Sequence, residues 1–85
     1  MLRHNSTRIQ DWRGLRKAIG ISRARMGAMI MMEPAHLASL EDGRTKSIRQ
    51  ATELVVRAFL SQPDIVTRLE FAGYPHPFPE DLPKR

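Results

Sequence analysis

The sequence predicts an all-α fold, a compact bundle of about five short helices. Three observations lead there. Apolar residues recur at three- and four-residue steps almost throughout. Cap-forming residues and glycines punctuate those runs at helix-length intervals. No alternating strand pattern of useful length and no internal repeat interrupts them.

The elements follow in order. In the first helix Ile9, Trp12, Leu15 and Ile19 share a face, Thr7 and Gln10 form a capping box, and Gly20 stops the chain. Ser22 caps a second helix of about two turns that buries Met26, Met29 and Ile30. In "MMEP" Glu33 caps and Pro34 takes the first position of a third helix, which turns Leu37 and Leu40 inward and ends at Gly43. Ser47 and Gln50 form a second capping box, opening a fourth helix with a stripe of Ile48, Ala51, Leu54, Val55, Ala58 and Phe59. In "SQPD" Ser61 caps, Pro63 takes the first turn and Asp64 complements the dipole of a fifth helix. That helix carries Ile65, Val66, Leu69 and Ala72 and closes at Gly73. Residues 1–73 thus form the domain. The tail 74–85 holds four of the six prolines and is expected to be extended, either mobile or folded back on the surface.

With 85 residues the chain suits one small domain. It has no cysteine, hence no disulfide framework and no thiolate chemistry, as suits a reducing cytoplasm. The N-terminus lacks the apolar run of a signal peptide, and no segment reaches the ~18 apolar residues of a membrane span. The net charge of +5 is unevenly spread. Residues 1–25 carry seven bases and one acid, residues 26–46 two bases and three acids, and residues 47–85 five of each. A one-sided basic excess points to a polyanionic partner, nucleic acid or an anionic membrane surface.

Catalysis is not indicated. His4, His36 and His76 lie in separate segments without metal-ligand spacing. Glu41 and Asp42 are adjacent on a helix, point to different sides, and cannot form an acid–base dyad. The glycines form no phosphate-cradling loop. The methionines Met26, Met29, Met31 and Met32 read as packing rather than a soft-metal site. No cofactor or metal is expected.

A short capped helix, a turn of a few residues and a second short helix make a helix-turn-helix of helices two and three. Over about residues 12–60 the chain resembles the Cro/CI-type (XRE-like) DNA-binding family, which is lambda-repressor-like in fold. The resemblance lies in "LRKAIGIS" (15–22), the inward-facing Leu37 and Leu40, and above all "LEDGRTKS", which matches the family's Leu-Glu-x-Gly ending and basic loop. Two positions depart from the pattern: Gly27 stands where alanine is usual, and Met31 where the turn glycine is usual. If that turn needs positive φ, the methionine costs on the order of 1 kcal/mol.

The resemblance implies a dimeric, sequence-specific regulator of transcription, most simply a repressor, that lays helix three in the major groove of a palindromic operator. Pro34, Ala35, His36, Ala38 and Ser39 would meet base edges, a set without Arg, Gln or Asn, so shape readout would carry more of the specificity. Ser22, Arg23, Arg25, Arg44, Thr45 and Lys46 would contact phosphates. Arg3 and Arg8 lie in a polar arm that could reach the adjacent groove, and Glu41 is expected to pair with Arg16 or Lys17. Ile65, Leu69, Phe71, Tyr74 and Phe78 are the candidate dimer surface or, alternatively, part of the monomer core. Family analogy places such a compact autoregulator in the bacterial cytoplasm, on a phage, a plasmid or a toxin–antitoxin module. The alternative is an antitoxin or other interaction module that neutralises a protein partner through its tail and binds its promoter secondarily. Single-stranded RNA lacks a stacking motif here, and a membrane surface lacks a strongly amphipathic basic helix.

Overall fold

The computed structural model describes residues 4–6 and 8–83. It is mainly helical: α1 (Trp12–Ile19), α2 (Arg23–Met29), α3 (Pro34–Glu41), α4 (Gln50–Leu60) and α5 (Pro63–Ala72). One turn of 3-10 helix, Pro79–Asp81, lies in the tail. Two three-residue strands also form, β1 (His4–Ser6) and β2 (Ser47–Arg49). They pair antiparallel, His4 with Arg49, Asn5 with Ile48 and Ser6 with Ser47. A fold without strands was expected. The pairing joins segments more than 40 residues apart, so no local periodicity announces it.

Most helix boundaries have a local cause. Asp11 caps α1, its Oδ1 accepting from the Gly14 amide at 2.9 Å. The expected capping box therefore does not start this helix, and Thr7 lies outside the described residues. Ser22 caps α2 as expected, its hydroxyl accepting from the Arg25 amide at 3.1 Å. Glu33 precedes α3 and Pro34 opens it, but the glutamate makes no side-chain cap. The Ser47–Gln50 capping box is absent, because Ser47 is committed to β2 and α4 begins after Arg49. Ser61 ends α4 instead of capping α5, its hydroxyl donating to the Ala58 carbonyl, and Gln62 takes the cap position. Gly20 and Gly73 end α1 and α5 in the left-handed conformation.

The core gathers Ile9, Trp12, Leu15, Ile19, Met26, Ile30, Met32, Leu37 and Leu40 from the first half of the chain. Ile48, Val56, Phe59, Leu60, Ile65, Leu69 and Phe78 complete it from the second. Helix α1 packs against both α3 and α5. Met29 is half exposed rather than buried, because α2 turns Met26 and Ile30 to the core and leaves the intervening face outward. On α4 the buried face is Val56, Phe59 and Leu60, while Ala51, Leu54 and Ala58 are exposed. Of the expected stripe, Ile48 and Phe59 are in the core and Val55 packs against it, while the other three face outward because α4 is apolar on two faces.

The tail is not a loose appendage. Phe78 is 1 % exposed. Arg8 and Arg57 both lie over its ring, at 4.8 and 4.9 Å. Arg57 pairs with Asp81, and Arg8 with Glu80 at 2.6 Å. One ring nitrogen of His76 meets the Leu60 carbonyl, and the other accepts from the Phe78 amide. The Tyr74 hydroxyl donates to the Asp11 carbonyl. The prolines rule out α-helix but not the single 3-10 turn.

The α2–α3 connection explains both departures from the family pattern. Met31 has φ of 56° and is 85 % exposed. That left-handed residue brings the chain back over α2, where the Met32 amide donates to the Gly27 carbonyl at 2.7 Å. A Cβ on Gly27 would lie 2.5 Å from the Met32 carbonyl oxygen, a backbone atom that cannot step aside. The glycine thus serves close approach in the turn rather than positive φ. Met31→Gly should raise stability by about 1 kcal/mol, relieving the left-handed residue. Gly27→Ala should lower it, although alanine is the better helix former by about 1 kcal/mol. Urea denaturation measures both signs, and a stabilised Gly27→Ala variant would contradict this turn geometry. Phe78→Ala should cost about 3–5 kcal/mol, as for a core aromatic; a loss under about 0.5 kcal/mol would mean the tail is surface decoration.

Candidate nucleic-acid interface

The site is organised around the end of α3. Its last residue, Glu41, has a fully buried side chain. Arg16 of α1 grips it with two hydrogen bonds of 2.9 and 3.0 Å. Arg23 of α2 approaches at 3.4 Å, and Arg13 of α1 at 3.5 Å. One carboxylate therefore ties three helices together. Asp42 follows, flanked by Arg13 at 2.9 Å and Arg44 at 3.1 Å. Burial alone would raise the Glu41 pKa, but the Arg16 and Arg23 hydrogen bonds and charges overcome it and hold the carboxyl at about 2. Of the two expected partners, Arg16 makes the pair, and Lys17 is exposed without one. The pairing also removes the conflict between these two acids and a polyanion, since both are neutralised within the protein.

The loop after α3 is pinned to it. The Arg44 and Thr45 amides both donate to the Ser39 carbonyl, at 3.0 and 3.2 Å. The Ser39 and Thr45 hydroxyls are 2.7 Å apart and share one hydrogen bond, in which either can be the donor. Thr45 lines two hollows. One is shared with His36, Ser47, Ile48, Arg49 and Thr52. The other is shared with Gln10, Trp12, Gly43 and Lys46 over Ile9 and Leu40.

The predicted base-reading residues divide in two. Pro34, Ala35 and His36 are exposed at the front of α3, whereas Ala38 and Ser39 are half-buried and Ser39 is bonded to Thr45. The predicted phosphate set divides likewise. The Ser22 hydroxyl is spent on its cap, Arg23 is drawn to Glu41, and Arg44 to Asp42. Among the described residues Lys17, Arg25, Lys46, Arg49 and Arg68 are exposed and make no ion pair. Arg25 lies apart from the loop, in a hollow with Ser22, Met29 and Arg68. Of the polar arm, Arg3 lies outside the described residues, and Arg8 is turned away into the tail, held by Glu80 and the Pro77 carbonyl. Of the candidate dimer residues, Ile65, Leu69 and Phe78 belong to the core and Tyr74 packs against it. Phe71 alone of the five is free, at 95 % exposed.

The sequence reading missed Arg49. Taken as part of a helix, it instead ends β2 and stands across a hollow from His36. Its placement depends on the β1–β2 pairing, which has no local signal. Among the described residues no three His, Asp or Glu side chains are grouped to hold a metal ion. No helix among them is long and apolar enough to cross a membrane.

Because the Glu41 carboxyl is lower in the folded chain than its ordinary value of 4.5, the stability it provides is full above that value and is lost as pH falls towards about 2. The shift corresponds to on the order of 3 kcal/mol. Unfolding free energies measured between about pH 5 and pH 2 should show that much less acid dependence in Glu41→Gln. An identical acid profile in the variant would mean that the carboxylate is not paired as described. No protein-family model, no curated protein and no solved structure matches this chain.

Proposed function

We propose that the chain is a sequence-specific double-stranded DNA-binding regulator of transcription, a cytoplasmic dimeric autorepressor of bacterial, phage or plasmid origin, and not an enzyme. Helices α2 and α3 act as a helix-turn-helix of the lambda-repressor-like kind, with α3 in the major groove of a palindromic operator. The observation that carries this reading is the charge arrangement at the end of α3. Glu41 and Asp42 are neutralised by arginines within the protein, while Lys46 stays unpaired in the loop after α3 and Arg49 stays unpaired beside the exposed His36. The surface that meets the duplex therefore offers cations and hydroxyls, with Glu41 and Asp42 already satisfied and Glu33, exposed ahead of Pro34, the acid left at its edge.

With Ala38 and Ser39 half-buried, base contacts fall to Pro34, Ala35 and His36, and Arg49 becomes the donor best placed beside them. Phosphate contacts fall to Lys46 and Arg25, since Arg44 is paired with Asp42. The dimer uses the outer face of α5. There Pro63, Val66, Thr67 and Glu70 border a groove with Leu82 and Pro83, and Phe71 projects beside it. A two-fold axis across α5 would place Phe71 of each protomer in the groove of the other. The reading as an antitoxin acting through a free tail draws no support from a tail whose Phe78 is already buried.

Binding to fragments of its own promoter should weaken steeply with salt. Lys46→Ala should lower binding to every duplex and reduce the logarithmic salt slope by about 1. Arg49→Ala should also narrow the affinity gap between operator and random duplex. Binding that is absent at low salt sinks the regulator reading, and an unchanged salt slope in Lys46→Ala sinks the phosphate assignment. Phe71→Asp should shift the sedimenting species to monomer and weaken binding to a full palindrome more than to a half-site. A dimer that survives it lies elsewhere.

A further inference from the structure

Two histidines stand in opposite situations. Both ring nitrogens of His76 are engaged, one at the Leu60 carbonyl and the other accepting from the Phe78 amide. His36 is exposed near the front of α3, and its ring has no hydrogen-bond or ion-pair partner among the described residues. It borders the hollow it shares with Thr45 of the loop, Ser47, Ile48 and Arg49 of β2, and Thr52 of α4. The charged and titratable groups around it are few. Arg49 shares the hollow, and His4 of β1 is paired opposite Arg49 in the sheet. The loop brings Lys46 to the neighbouring hollow, and α4 contributes only the Thr52 hydroxyl. Glu33, exposed at the start of the same helix, stands one turn back, its carbonyl accepting from the His36 amide at 3.0 Å. No carboxylate lines the hollow itself. It therefore holds a permanent cation and no anion, and a protonated ring there finds no counter-charge within it.

We propose that duplex binding takes up a proton at His36, so that affinity for the operator is set by pH as well as by sequence. This rests on the DNA-binding reading and adds to it how the same interface is regulated. Histidine is the side chain whose charge ordinarily changes between about pH 5 and pH 8. With α3 in the major groove, the duplex supplies the negative potential that the hollow lacks, and that potential favours the charged ring over the neutral one. The neutral ring has one N–H to donate, whereas the imidazolium has two, and the groove offers phosphate oxygens and purine N7 atoms as acceptors. Linkage fixes the sign. A proton held more tightly in the complex than in the free chain makes the complex tighter as pH falls. Each ring binds one proton, so the gain is at most about tenfold per pH unit for each protomer. A dimer on a palindrome brings two rings, and its limiting slope is twice that of one protomer on a half-site.

The test measures the affinity of the full-length chain for its promoter fragment and for a half-site between about pH 8 and pH 6, at constant ionic strength. Affinity for the half-site should rise about 3- to 10-fold per unit as pH falls, and affinity for the palindrome by about the square of that factor. The logarithmic salt slope should steepen by about 1 per protomer over the same range, because one more cation meets the duplex. His36 is exposed, so substitutions there leave the core untouched. His36→Gln should abolish both changes and keep the salt slope that the native chain shows at the alkaline end. His36→Arg, charged throughout, should bind at the alkaline end about as tightly as the native chain does at the acid end, without pH dependence. His4→Gln should leave the pH dependence in place. Duplex binding that is flat with pH, or a pH dependence that survives in His36→Gln, overturns the proton uptake and leaves the DNA reading intact. A dependence lost in His4→Gln overturns the assignment to His36. No duplex binding at any pH in the range overturns the DNA reading, and the proton uptake with it.

Discussion

The arrangement depends on the buried carboxylate of Glu41. A charge removed from water is tolerated only when it is paired and its remaining oxygen lone pairs are filled. Here Arg16 fills two of them in fork geometry, and Arg23 and Arg13 complete the shell. Because those arginines come from α1 and α2, the carboxylate fixes how three helices meet. The same cluster sets the electrostatics of the candidate interface. It draws Arg13 and Arg23 inward and leaves Lys46 and Arg49 outward, so the charge on offer is decided by the pairing. Removing the carboxylate would do more than loosen a surface contact. It would leave Arg16, with a side chain only 15 % exposed, without its counter-charge.

Two further constraints keep the interface in place. The α2–α3 turn is built on a tight backbone contact in which Gly27 makes room for the carbonyl that Met31 swings over it. The tail meanwhile closes the far side of the domain. Phe78 fills the core, and Arg8 and Arg57 bind the acids that follow it. That contact also explains why Arg8, expected in a polar N-terminal arm, is turned to the tail. A domain of 85 residues buries a modest core, so one tail aromatic is a large share of it.

Much of this was legible in the chain where the cause is local. The Ser22 cap, the stops at Gly20 and Gly73 and the inward Leu37 and Leu40 follow from spacing and residue type, while the family resemblance pointed Glu41 to Arg16 or Lys17 and packing chose Arg16. Non-local features were hidden. The strand at Ser47–Arg49 exists because His4–Ser6 pairs with it, and without that pairing Arg49 reads as an ordinary helical residue. Phe78 sits in a proline-rich stretch that has no period to reveal a buried side. Helix α4 misled for a different reason. Ala51, Leu54 and Ala58 line one face and Val56 and Leu60 another, and only packing against the rest of the domain decides which turns inward.

The most direct test of the carboxylate's role is a double-mutant cycle on Arg16→Met and Glu41→Gln, read by chemical denaturation. Either single change leaves a buried group without its partner, whereas the double change removes both. The expected result is a coupling energy of about 2 kcal/mol or more, with the double variant losing clearly less than the sum of the singles. Additivity within about 0.5 kcal/mol would contradict the account, because it would mean that the two groups stabilise the domain independently and that no buried pair holds the helices together.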